Sequence, residues 1–542
     1  MIAQSVRTLL CSTFMGASLF THGAFAADGL DDAKRVSRNI GIAAGGAFSC
    51  EIIPIQRVKT LNTQIDTAIR SFSKDRAVIS ILEDAFNQGI DIGQQAVATN
   101  RSRCGSMLSD LSYWETSSTT WFMAPNGPGS LNGITKAAVT TEVSTPAAAP
   151  SVPSSAPPSA VFAARGISDR EIRMGMAAPF SGPAKELGRQ MKQGIETAFN
   201  GVNEAGGIHG RRLTLVTADD GYEPNRTADA MKALYEKEQV FGVIGNVGTP
   251  TAAVALPYAL SHKMVFFGAF TGAGLLRRDP PDRYVFNYRA SYAEETSAVM
   301  QYLVKVKRIR PEQIAVFAQQ DGYGDAGFEG VMKALRTLRG NSEGAPITRL
   351  NYQRNTVDVD EAVGQLAQLQ RQRPNAPIKA VVMVATYRAA AKFIEKTRDQ
   401  IAGLTYTNVS FVGSTSLAEE LMVLGPKYAS GVIVTQVVPA VESYASVVLD
   451  YKTALAKFFP GESPDYVSLE GYLSANVLIE GLRRAGPQLE SERLVSTLEN
   501  LRDLDLGLGT MINYSRADHQ ASHKVWGTQL DAAGHFLPID LD

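Results

Sequence analysis

Cysteine is scarce in this chain. Three occur in 542 residues, at positions 11, 50 and 104. That rules out a cysteine-rich scaffold and a four-cysteine zinc site, and no Cys-x-x-Cys redox pair is present. Histidine is nearly as rare, with six. Neither sign of charge dominates: 53 Lys and Arg face 54 Asp and Glu, a formal net charge of -1. Such a balance lacks the basic footprint of a chain that binds nucleic acid or anionic membrane. No Gly-Lys dipeptide occurs, so there is no Walker A loop. No G-x-S-x-G nucleophile elbow occurs either. The one tight glycine cluster, Gly127-Pro128-Gly129-Ser130-Leu131-Asn132-Gly133, has the wrong spacing for a dinucleotide turn and follows no strand pattern. Beyond the first 26 residues, no apolar run is long enough to span a bilayer.

The N-terminus carries a different signal. Arg7 is the only charged residue before Ala26, and an apolar run follows through Leu9, Leu10, Phe14, Met15, Leu19 and Phe20. Ala24-Phe25-Ala26 supplies small residues where a signal peptidase reads. Residues 1–26 are therefore expected to be a cleaved secretory signal, and the mature chain a soluble exported protein. In an oxidising compartment Cys50 and Cys104 are expected to pair as a structural disulfide.

Three regions follow. From 27 to 118 the pattern is helical: Ile55, Val58, Leu61, Ile65, Ile69 and Phe72 form one stripe, and Val78, Leu82, Phe86, Ile90 and Val97 nearly repeat it. This predicts a small all-α bundle with no catalytic or metal-ligand spacing. From 119 to 166 periodicity disappears into Ala, Pro and Ser, which cannot bury enough to fold and predicts an extended linker. From Ile167 onward strand and helix patterns alternate, in two successive series. Buried strands separated by amphipathic helices predict α/β structure, here two doubly wound parallel sheets in tandem.

Ligands of open parallel sheets sit beyond the carboxyl ends of the strands. In the first series those tips read Phe180-Ser181-Gly182-Pro183, Gly248-Thr249-Pro250-Thr251 and Ala269-Phe270-Thr271-Gly272. Each offers hydroxyls, glycines and free backbone N–H groups at a helix start. That set suits a polar or anionic head rather than acid–base chemistry. In the second series the tips carry Tyr323 and Tyr387, aromatic walls for a small organic molecule. Asp219-Asp220 is expected to cap and turn, since adjacent strand residues face opposite ways. His519 and His523 fall in a polar turn rather than on a helix, so no metal site is expected.

The ordered set "MGMAAPFSGPAKELG", "VIGNVGTPT", "GAFTGAGLLR", "QDGYGDAG" and "GVIVTQVVP" resembles the type I periplasmic substrate-binding proteins of the leucine/isoleucine/valine-binding family, which serve ABC importers. The resemblance runs from about Ile167 to the C-terminus. It implies two Rossmann-like lobes: 167–289 with about 437–500, and 290–436 with about 501–542. It also implies three crossing segments, near Tyr288–Ala290, near Ser410–Gly413 and beyond Leu501. Ligand would bind between the lobes. Thr249 and Ala269 with Thr271 would hold its carboxylate, and Tyr323 and Tyr387 would face it from the second lobe. Ser181, Leu187, Phe270, Ser414 and Thr415 would complete the lining.

Two departures bear on the ligand. Amino-acid binders of the family place an acid at "GPEG" for the ammonium group, whereas this chain reads Gly413-Ser414-Thr415-Ser416. The aromatic of the first loop is replaced by Leu187. A carboxylate without an amine, or an amide, fits these residues at least as well as an amino acid. The expectation is thus a periplasmic solute-binding protein that needs no cofactor, performs no catalysis and delivers its ligand to an ABC permease. The alternative is a ligand-sensing module that docks a receptor through the N-terminal helical domain.

Overall fold

The computed structural model describes residues 26–48, most of 64–90, 164–339 and 347–541. The expected signal segment, Cys50, Cys104 and almost all of the expected linker lie outside the described residues. The chain divides into two compact units, 1–155 and 156–542.

In the N-terminal unit, helix α1 spans Ala26–Phe48. Its buried face is built mostly of small residues, among them Ala33, Ala43, Ala44 and Ala47. Small residues let a second helical segment approach closely. A Cβ on Gly41 would fall 2.0 Å from the carbonyl oxygen of Phe86, and one on Gly89 would fall 2.1 Å from that of Arg38. Ile65, Ile69, Phe72, Leu82 and Phe86, all members of the two apolar stripes, are buried.

The second unit begins with β1 (Glu171–Ala178), α2 (Lys185–Glu204), β2 (Arg212–Asp219), α3 (Pro224–Glu236), β3 (Gly242–Ile244), α4 (Thr249–Ser261), β4 (Phe266–Phe267) and β5 (Val285–Phe286). These five strands form one sheet in the order β2-β1-β3-β4-β5, every pair parallel. β1 is buried on both faces along most of its length, as a strand covered by helices on both sides must be. β3 and β4 are shorter than their apolar runs predict. Both runs end at glycines with positive φ, Gly245 at 73° and Gly268 at 54°, which turn the chain out of the ladder.

The chain then crosses to a second sheet through α5 (Tyr292–Gln301), β6 (Ile314–Gln319), α6 (Gly322–Arg339), β7 (Thr348–Tyr352), α7 (Asp360–Gln372), β8 (Ala380–Val384), α8 (Tyr387–Arg398), β9 (Thr405–Asn408), α9 (Ser414–Leu424), the short α10 (Pro426–Ala429) and β10 (Ile433–Gln436). It returns to the first lobe as α11 (Ser446–Phe458), α12 (Tyr466–Ala485) and α13 (Ser491–Glu499), and ends in β11 (Trp526–Leu530) and β12 (Phe536–Ile539). The second sheet runs β12-β11-β10-β9-β8-β6-β7, with β11 and β12 antiparallel.

Three passages link the lobes. The first leaves β5 at Asn287 and enters α5. The second is Val437–Ala445, between β10 and α11, which packs on α2. The third lies after α13 and pairs with the first: Asn287 N–H donates to His519 O (2.7 Å), and Ser522 N–H donates to Tyr288 O (2.9 Å). The expected crossing at Ser410–Gly413 is wrong. That segment joins β9 to α9 within the second lobe, because a single 3₁₀ turn at Ser410–Val412 and Gly413 at φ 78° fold the chain back onto its own sheet. The preceding strand β9 accordingly ends at Asn408.

Candidate functional site

The tips of β3 and β4 meet between the lobes. Thr249 opens α4 immediately after Gly248, and Thr271 follows β4 by four residues. Their hydroxyl oxygens lie 2.7 Å apart, both buried. Thr271 is held from behind by its backbone, since its carbonyl accepts from Arg277 Nη1 (3.3 Å). Gly272 O accepts from Tyr292 N–H at 2.8 Å, which pins the start of α5 against this tip.

Aromatic rings from both lobes surround the hydroxyl pair. Phe411, carried in by the 3₁₀ turn after β9, stands at their centre. Its ring centroid lies 5.1 Å from Phe270 and 6.2 Å from Tyr222 of the first lobe, and 4.6 Å from Tyr323 of the second. Tyr292 lies 5.4 Å from Tyr323. All five rings are buried. The Tyr292 and Tyr323 hydroxyls have no hydrogen-bond partner among the described residues, so the aromatic wall presents two unsatisfied polar atoms here. Burial raises the Tyr292 phenol to about 12 and keeps it protonated, with Arg289 and Thr271 pulling the other way.

A charged network lies behind these rings. Arg289, on the first crossing segment, is wholly buried, and its guanidinium stacks over Phe270 at 4.9 Å. It pairs with Glu295 at 3.2 Å and faces Glu470 at 3.6 Å. Glu295 is further satisfied by Ser410 N–H (2.7 Å) and by the Thr435 hydroxyl at 2.5 Å. Glu470 accepts no hydrogen bond from Arg289. Burial pushes its carboxyl up to about 7, against the pull of that cation.

The other expected residues part into groups. Leu187 and Tyr387 meet at Gly413, where a Cβ would fall 2.6 Å from Leu187 Cδ2 and 3.6 Å from Tyr387 Cδ1. Tyr387 spans the lobes, its hydroxyl donating to Pro183 O at 2.6 Å. Ser414 is buried but tied to Gln436 of β10 at 3.1 Å, while Thr415 beside it is half-buried. The Ala269 methyl packs with Ala252, Ala255 and Leu276 on the side of the sheet away from Phe270. Ser181 does not join the threonine pair. It donates to Asp219 Oδ2 at 2.6 Å, completing a loop in which Phe180 and Gly221 N–H also bind that carboxylate. Burial opposes ionisation there, but these bonds prevail and hold Asp219 at about 2. Asp220 accepts from Tyr222 N–H and the Thr227 hydroxyl, a turn and capping role.

Neither Tyr222, Tyr292 nor Phe411 stands out in the sequence. Tyr222 sits in a polar turn, Tyr292 opens a helix, and Phe411 extends what reads as a strand. His519 and His523 point elsewhere: His519 stacks on Phe286 at 4.1 Å, and His523 bonds Glu294 and Asp518. A cavity of about 560 Å³ opens beside them at the hinge, apart from the threonine pair.

Two α/β lobes, joined by three strands of chain and meeting over polar strand tips and buried rings, have the build of a two-lobed binding protein. The periplasmic binding protein family model matches residues 171–535. Among similar proteins, a Leu/Ile/Val-binding protein homologue of Brucella melitensis is 26% identical, over 63% of this chain and 86% of its own. An amino acid binding protein of Pseudomonas aeruginosa is 22% identical over 58% of this chain and 79% of its own. A solved structure from Rhodopirellula baltica, described as a possible leucine/isoleucine/valine-binding protein, shares 38% identity with a TM-score of 0.64, covering 71% of this chain and 98% of that one. This chain belongs to the periplasmic binding protein family, in its type I, leucine/isoleucine/valine-binding branch. That is a family of substrate-binding proteins, and no described helix is long and apolar enough to cross a membrane.

Proposed function

We propose that this protein captures a small carboxylate with an apolar or aromatic body in the periplasm and presents it to an ABC permease. The observation that carries this reading is the buried Thr249–Thr271 hydroxyl pair at 2.7 Å, roofed by rings from both lobes. The two hydroxyls and the N–H groups opening α4 suit a carboxylate head. Arg277 and Arg289 behind Thr271 and Phe270 favour an anion there. Phe270, Tyr323 and Phe411 suit an apolar body. The relatives' names point to branched-chain amino acids, but no carboxylate stands at Ser414-Thr415 to receive an ammonium group. Glu295, buried about one turn along α5 from Tyr292, is already occupied by Arg289, Ser410 and Thr435. The receptor-docking alternative has no support from the described residues.

The test is a thermal-shift screen of L-leucine, L-valine, 4-methylpentanoate, phenylacetate and 4-methylpentanamide, followed by titration. A ligand that binds only the folded state raises the melting temperature. Thr249→Ala and Thr271→Ala are each expected to lower affinity for the best acid about tenfold, the size of one hydrogen bond to a charged group, in a free protein that still folds and melts cooperatively. Wild-type affinity in both variants removes the carboxylate cradle. Tight binding of L-leucine in preference to 4-methylpentanoate removes the amine-free ligand.

A further inference from the structure

We propose that Tyr222 is a specificity-determining residue of this site, forming the wall beside Thr249 and tying that wall to closure of the lobes. The proposal rests on the ligand seat at Thr249 and Thr271 and deepens it.

Tyr222 lies in the turn between β2 and α3, a place where a large side chain is ordinarily exposed. Here it is fully buried. Its backbone sits at φ 63°, in the left-handed region that a bulky residue enters only at an energetic cost. Such strain persists where the surrounding structure requires it, and it clusters at ligand sites. The ring reaches the residue next to Thr249: a Cβ on Gly248 would fall 2.2 Å from Tyr222 Cε2. On its other side it approaches Phe411. Tyr222 thus fills the space between the polar head and the central ring, where the length of a ligand is decided.

Its hydroxyl is addressed from the opposite lobe. Gln319 Nε2, at the end of β6, donates to it at 3.1 Å. Gln319 is itself fixed, accepting from the Tyr352 hydroxyl at 3.0 Å and donating to Asp321 at 2.8 Å. The residues either side of Tyr222 are gripped too. Asn355 Nδ2 donates to Gly221 O at 3.0 Å and to Glu223 Oε1 at 2.6 Å, and Arg354 pairs with Glu223 at 2.9 Å. The second lobe therefore holds the whole turn when the lobes meet, and closure sets the position of the ring.

The experiment titrates the full chain and its Tyr222→Phe, Tyr222→Ala and Thr271→Ala variants with 4-methylpentanoate, phenylacetate and 3-phenylpropanoate. Lobe closure is followed by fluorescence energy transfer between labels on the two lobes. Tyr222→Phe keeps the ring and loses the Gln319 bond. It is expected to keep the order of preference, to bind the best acid about tenfold more weakly and to close less completely. Tyr222→Ala is expected to shift preference by at least about tenfold toward 3-phenylpropanoate, the longest acid. Unchanged ratios across the three acids in Tyr222→Ala, with binding still lost in Thr271→Ala, overturn the role of Tyr222 alone. Should Tyr222→Ala fail to fold, wild-type affinity and closure in Tyr222→Phe overturn it. Wild-type binding in Thr271→Ala instead overturns the seat itself.

Discussion

Thr415 is the residue on which amine recognition turns. It is the second residue of α9, half-buried, next to the Gly413 contact of Leu187 and Tyr387. Thr415→Glu places a carboxylate where the amino-acid binders of the family carry one. The expected outcome is a gain for L-leucine over 4-methylpentanoate of at least about tenfold, the size of one charge-assisted hydrogen bond. Calorimetric titration of both compounds checks it, and an unchanged ratio shows that position 415 does not face the ligand. At this scale the sequence was legible where a residue sits at the tip of a clear strand. Thr249 and Thr271 follow apolar runs, and the structure brings their hydroxyls together. Phe411 was not legible, because Val409-Ser410-Phe411-Val412 alternates like a strand while the backbone turns at Ser410. Tyr222 was not legible, because Asp219-Asp220-Gly221 announces a solvated turn, and what buries the ring, Gly248 of its own lobe with Phe411 and Gln319 of the other, is distant in sequence. Ser181 shows the converse: a hydroxyl at a strand tip, spent on a neighbouring carboxylate.

Among the elements, the order of strands and helices was readable and their ends were not. Amphipathic stripes and buried apolar runs are local, whereas the glycines that end β3 and β4 act through backbone conformation. The misplaced crossing has the same cause, since which sheet a strand joins is decided by partners far away in sequence. Glycine spacing also hides the tightest helix contact. α2 and α12 touch backbone to backbone: a Cβ on Gly194 would fall 1.8 Å from Ser468 O, and one on Gly471 would fall 2.5 Å from Met191 O. Gly194→Ala must push the helices apart and is expected to cost about 1–3 kcal/mol, the range for overpacking. Gly201 lies on the same helix with only Phe458 within reach, at 4.0 Å. Gly201→Ala is expected to stabilise by up to about 1 kcal/mol, the helix-propensity difference. Urea midpoints of the two variants check the contrast. Equal effects would mean that the α2–α12 approach is not tight in solution.

At the scale of the whole molecule, the hinge predicts how stability responds to pH. His523 belongs to the third crossing segment, and its ring lies between Glu294 of α5 at 2.7 Å and Asp518 at 3.1 Å, with Gln520 alongside. Its bond to Glu294 is the main cause that lifts the imidazole to about 9, against burial. A histidine raised in the folded state contributes stability that is complete below its ordinary value near 6.5 and is lost as pH rises through 9. Glu470 acts in the same direction over a lower window. Burial raises its carboxyl to about 7, with Glu295 adding to the effect and Arg289 and Arg277 opposing it. The folded state therefore binds its proton more tightly than the unfolded chain does. Stability present below 4.5 is lost as pH rises through 7, an effect of roughly 3 kcal/mol at 1.36 kcal/mol for each tenfold change in proton affinity. Asp220 and Asp465, each raised by burial to about 6, add to the loss below pH 7, and His519, lowered by burial, opposes it, so the parts due to Glu470 and His523 are read as differences from the wild type. Glu470→Gln is expected to flatten the fall below pH 7, and His523→Gln the fall above it. Melting curves of the three proteins at pH 5, 7 and 9 separate the contributions. A fall from pH 5 to pH 9 in both variants that equals the wild type's shows that neither group is held as the hinge geometry implies.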